Sequence, residues 1–151
     1  MKDSVFGELI FKYGWRKKEI LSLFNLEKEV ILVVSGSEED KILETQRQAF
    51  LDLKKEQLKK DIEKAIYEYY LSICEEYREM WEDEADEHAP LIKNISEMGK
   101  LINPIEIVVQ RVNGIREVGI VFECSWDIDS GVGVRIENEK IIEVGEQYVA
   151  L

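Results

Sequence analysis

From Glu38 to Glu87 the chain contains neither proline nor glycine. Those two residues are the strongest helix breakers, so nothing in the backbone chemistry interrupts a helix there. From Leu58 onward, Leu58, Ile62, Ala65, Ile66, Tyr69, Ile73, Tyr77, Met80 and Trp81 recur at steps of three and four. That spacing makes one apolar stripe along an α-helix. An earlier stripe holds Ile42, Ala49, Phe50 and Leu53, and the step of five from Leu53 to Leu58 shifts its phase. One straight helix over the whole segment would run about 70 Å at 1.5 Å per residue, longer than a domain of this size. The sequence therefore predicts helix over 38–88 with a kink or break between Asp52 and Lys60, or an end projecting from the body. Ser37 and Asp40 have the spacing of an N-cap motif, and Glu38, Glu39 and Asp40 suit the positive end of a helix.

Strand patterns lie on both sides. Val5 to Tyr13 places apolar residues mostly at odd positions, with Glu8 and Lys12 opposite, which predicts a half-buried strand. Gly14 is a turn candidate, Glu19–Phe24 reads as a second strand, and the β-branched run Val30–Val34 as a third, central one. A short helix is expected over 94–101, stopped by Gly99 or Pro104. Then Asn113-Gly114, the favoured two-residue hairpin turn, sets Val112 against Ile115. Counting outward, Val109 faces Val118, Ile107 faces Ile120 and Ile105 faces Phe122, so one face is wholly apolar. A second hairpin turns at Asn138-Glu139, pairing Ile136 with Ile141 and Glu137 with Lys140. Strands about 4–36 and 104–151 around a helical middle predict a single α+β domain over 1–151. An antiparallel sheet would be covered by the long central helical segment.

Twenty Lys and Arg against 32 Asp and Glu give a net charge of −12. That field repels nucleic-acid phosphates and anionic membranes and draws in a basic protein. Acidity for solubility alone stays open as the simpler reading. Cys74 and Cys124 are the only cysteines and read as buried, reduced thiols. The N-terminus carries no secretory pattern, and no apolar run reaches the roughly 20 residues of a membrane span. A cytoplasmic location is expected.

The stretch Phe122-Glu123-Cys124-Ser125-Trp126-Asp127-Ile128-Asp129-Ser130-Gly131-Val132-Gly133, followed by Val144-Gly145, resembles a family of small bacterial proteins of unknown function. Their C-terminal strands carry a Trp-Asp-x-Glu-His-Gly-x-Gly-like motif. Phe6-Gly7 and Tyr69-Tyr70 match the rest of that outline, while Asp129 stands where Glu is usual and Ser130 where His is usual. The resemblance implies a fold more than an activity, and allies the chain with polymorphic-toxin immunity proteins. Any chemistry of a Glu-His pair would be lost here.

Four groups of residues are candidates for function. Asp127-x-Asp129-x-Gly131 offers two carboxylates and a turn, but its spacing departs from a calcium loop. The alternative is an acidic turn whose carboxylates bond nearby backbone N–H groups. The run Glu82-Asp83-Glu84-Ala85-Asp86-Glu87-His88 is the densest in acid. Glu84 and His88 have metal-ligand spacing on a helix, yet His88 is the only histidine. A solvated helix end is the simpler reading. Tyr69 and Tyr77 fall on the core stripe, whereas Tyr67 and Tyr70 fall off its centre and are candidates for interface contacts, with core or partly covered packing as the simpler reading. Trp126 beside its loop is another. No phosphate loop, nucleophile elbow or Cys-His pairing is present, and no cofactor or tight metal site is expected. The leading expectation is a non-catalytic domain binding a basic protein through Glu82, Asp83, Glu84, Asp86, Trp126, Asp127 and Asp129, with a toxin-immunity role as its sharpest form. The rival is a small-ligand, metal or hydrolytic site using carboxylates near Asp127 and Asp129.

Overall fold

The computed structural model describes residues 1–151. Its strands are β1 (Lys2–Asp3), β2 (Gly7–Glu8), β3 (Ile10–Phe11), β4 (Trp15–Leu23) and β5 (Leu26–Val34), then β6 (Ile102–Val109), β7 (Glu117–Cys124), β8 (Val132–Glu137) and β9 (Lys140–Gly145). Between β5 and β6 lie the helices α1 (Glu44–Asp52), α2 (Glu56–Trp81) and α3 (Ala85–His88). The fold is α+β. Strands β3 to β9 form one seven-stranded sheet in chain order. Every pairing is antiparallel except β5 with β6, where the helical crossover intervenes and the strands run parallel. Val30–Val34 thus sits inside the sheet, as its β-branched run predicts.

The helical segment breaks where the phase shift predicts it, between Asp52 and Glu56. Helix α2 buries Leu58, Ile62, Ile66, Tyr70 and Cys74, one ridge at steps of four. They join a cluster of 31 buried residues drawn from the N-terminal strands, the helices and the C-terminal strands. Tyr70 is 0% exposed, so it takes the simpler core reading and not the interface one. Tyr69 and Tyr77 are half-buried at the cluster's edge instead.

Two local expectations are corrected, and a short helix forms where one is expected. Residues 5–13 are not one strand. Both Val5 and Phe6 donate backbone N–H groups to the Asp3 carboxylate, at 2.9 and 3.0 Å, and these bonds turn the chain. Phe6 and Leu9 are the residues buried, while Tyr13 is exposed. Ser37 and Asp40 close a turn, with Ser37 N–H donating to Asp40 Oδ2 at 2.9 Å. The helix starts later, at Glu44, where the buried Gln46 side chain accepts the Leu43 N–H at 2.9 Å and donates to the Ser35 carbonyl at 2.9 Å. The short helix is 3₁₀ over Ile95–Lys100.

In the hairpins, Ile107 lies opposite Ile120 and Val109 opposite Val118. Ile105 does not face Phe122, because a bulge between Pro104 and Glu106 takes it out of register and Pro104 pairs there instead. The Asn113-Gly114 turn has positive φ only at Gly114 (77°), so it is not the doubly positive turn that an ideal hairpin uses. That geometry occurs at Asn138 (φ 50°) and Glu139 (φ 68°). There Ile136 meets Ile141 and Glu137 meets Lys140 as expected.

Candidate functional site

The acidic run sits on an elbow. Helix α2 ends at Trp81, and Glu82 takes φ 53°, which stops the helix. A 3₁₀ turn over Glu82–Glu84 leads into α3. Short polar-headed residues with no apolar stripe cannot bury here, so Glu82, Asp83, Glu84 and Asp86 all face solvent. Of these four only Asp86 pairs with a cation, Arg78, at 2.8 Å.

The elbow is tied to the loop after β7 by bonds spanning many residues of chain. Trp81 donates its indole N–H to the Trp126 carbonyl at 2.8 Å. His88 stacks on Trp81 with centroids 3.7 Å apart and planes within 14°, and its Nδ1 lies 3.2 Å from the Ser125 carbonyl. In return, Ser125 Oγ donates to the His88 carbonyl at 2.8 Å. Tyr77 donates to Asp127 Oδ2 at 2.8 Å, and Ser130 N–H to Asp127 Oδ1 at 3.0 Å. Burial first, and this bond second, hold the Tyr77 hydroxyl protonated well above its ordinary range. Burial likewise pushes the Cys124 thiol up to about 11. Cys74 and Cys124 are buried free thiols.

These bonds divide the expected contact residues. Trp126 is 2% exposed and packs on Tyr70 at 4.7 Å between ring centroids. Its ring belongs to the core and is no surface contact. Asp127 is half-buried, with both oxygens accepting bonds from the fold. Asp129 alone of the loop's carboxylates is exposed. The rival reading of Asp127 and Asp129 as a shared ligand site therefore finds one of its two carboxylates already used. Glu84 and His88 do approach, and Glu87 joins them, with ligand atoms within 4.8 Å of one another.

The glycines of the same motif have a packing role. The C-terminal 3₁₀ turn Gln147–Ala150 lies against β7 and β8. A Cβ on Gly133 would stand 2.6 Å from the Glu146 carbonyl oxygen and 2.8 Å from that of Gln147. Gly131 has φ 55° and lies under the Gln147 side chain, which donates to the Phe122 carbonyl at 2.9 Å. From Trp126 to Gly133 the motif thus seats α2 on one side and the chain's end on the other.

Sequence reasoning missed a trough beside the elbow. It has a volume of about 550 Å³ and runs along the C-terminal half of α2 against Leu91 and Ile92. Its only sequence signal is the off-stripe Leu71, because the other wall depends on how residues after α3 fold back.

A family model described as a domain of unknown function (DUF6985) matches residues 5–151. No curated protein and no solved structure matches the chain. No helix is long and apolar enough to cross a membrane.

Proposed function

This chain belongs to the DUF6985 family, whose description assigns no activity, and we propose that it is a non-catalytic acidic protein-binding domain. The observation that carries this reading is the elbow after α2. Glu82, Asp83 and Glu84 stand exposed there without a paired cation, on backbone anchored to the Trp126 loop. Fixed, unpaired charge of one sign steers an oppositely charged partner and excludes like-charged ones. With a net charge of −12, the partner is a basic protein. Asp129 is exposed on the loop that the elbow grips and adds a further carboxylate. In its sharpest form the role is immunity: the acidic elbow covers the cationic face of a toxin inside the cell that makes it.

The test is affinity isolation from native-cell lysate. The wild-type chain is compared with a variant carrying Glu82→Gln, Asp83→Asn, Glu84→Gln and Asp86→Asn. The reading expects a basic protein retained by wild type, lost from the variant and released by salt. An identical set of retained proteins from both would defeat it.

A further inference from the structure

We propose that the trough along α2 receives an amphipathic basic helix of the partner, an inference that rests on the protein-binding reading above. Leu71, Glu75 and Glu79 follow one another at steps of four, so they share one face of α2, and Glu82 lines the trough just past the helix end. Leu91 and Ile92 form the opposite wall. Leu71 is 50% and Leu91 75% exposed. Single exposed leucines are ordinary, but these two border one concavity, where a partner's apolar side chains would be taken from water.

The rim defines the partner's charge. Arg78 also lines the trough, but it donates to the Ala89 carbonyl at 2.9 Å and pairs with Asp86. Glu75, Glu79 and Glu82 are exposed and make no ion pair. An apolar trough with unpaired carboxylates along its α2 wall is complementary to a helix with a leucine-like stripe bordered on that side by Lys or Arg. From Leu71 to Glu79 the helical wall is about 12 Å long at 1.5 Å per residue, so it spans about two turns of a docked helix.

The sheet edges argue against strand addition. One edge is the two-residue β3 and, past it, the outer side of β4, which carries Lys17, Lys18 and Glu19. The other, β9, is bulged opposite Arg135 and Ile136, and carries Lys140 and Glu143. Short, bulged and charged edges resist a further strand. An anionic lipid surface is repelled by the same carboxylates that would hold a basic helix.

The test uses a synthetic peptide of about 14 residues, with leucines at helical spacing and lysines elsewhere, and a scrambled peptide of equal composition. Both are titrated calorimetrically into the full chain and into a Leu71→Ser, Leu91→Ser variant. The variant should melt with wild type, because both side chains face solvent. The ordered peptide should bind about tenfold tighter than the scrambled one, and the variant should lose that advantage. Equal binding of the two peptides, binding of neither, or an ordered peptide indifferent to the variant overturns the helix proposal. The protein-binding reading then still stands or falls separately, on the affinity isolation.

Discussion

The Tyr77 hydroxyl donates to the Asp127 carboxylate at 2.8 Å, joining the last turns of α2 to the loop between β7 and β8. Replacing it by Phe leaves a half-buried carboxylate oxygen short of a partner. Tyr77→Phe should therefore cost about 1–2 kcal/mol in denaturant unfolding. The same bond makes a pH prediction. The folded-state value of Tyr77 is raised above 10.0, so its contribution is full below that pH and is lost as pH rises through the folded value. An ultraviolet absorbance titration should find Tyr69, Tyr70 and Tyr77 missing from the normal alkaline range in the folded protein and restored on unfolding, and Tyr77→Phe should reduce that shortfall by one.

Gly133 tests whether the C-terminal motif serves packing. Its Cβ would meet backbone carbonyl oxygens, which cannot swing aside as a flexible side chain can. Gly133→Ala should destabilise by about 2–3 kcal/mol and loosen Gln147–Ala150, seen as faster amide exchange there. Unchanged stability would mean that the chain's end does not pack as described.

The two hairpins separate turn chemistry from register. Gly114 has φ 77° with open space around the site of a Cβ, so Gly114→Ala measures backbone strain alone. It should cost about 1 kcal/mol. Asn113 has no positive φ, and proline suits the first central position of a turn with positive φ only at the second. Asn113→Pro should therefore be the milder change, the reverse of what an ideal two-residue hairpin predicts. Thermal melting of the two variants decides it.

Up to the bulge after Pro104, the hairpin registers were legible because each one-residue slip turns a whole apolar face outward. The helix break was legible from the step between Leu53 and Leu58. What misled was local chemistry whose outcome depends on distant partners. The side chain of Asp3 was silent in the sequence, yet it turns residues 5 and 6 and dissolves the expected strand. Tyr70 and Tyr69 are neighbours, and the choice of Tyr70 for the core follows from Trp126 packing on it. The exposure of the acidic elbow could be read from charge density alone. Its attachment through Trp81 and His88 could not, since their partners Trp126 and Ser125 lie far along the chain.

Asp3 supplies a second pH prediction. Burial raises its carboxyl, but the Arg47 bond at 2.7 Å and the N–H groups of Phe6 and Val5 outweigh that and hold it below 3.8. A lowered folded-state value contributes stability fully above the unfolded value and loses it as pH falls through the folded one. Asp3→Asn should cost about 1–2 kcal/mol at neutral pH. It should also flatten the acid limb of the stability curve below about pH 4. If that limb is unchanged, the Arg47 pair does not anchor the N-terminus.

The most direct measurement for the binding account is the association rate of the captured basic partner as a function of salt. Wild type is compared with the variant neutralised at Glu82, Asp83, Glu84 and Asp86. Exposed charges act through a field that salt screens over about 8–10 Å, and they act on association more than on dissociation. The account predicts a rate that falls steeply with salt in wild type, and a slower, nearly flat rate in the variant, with melting unchanged. A rate indifferent to both salt and the substitutions would contradict it, leaving the acidic elbow as a solubilising surface.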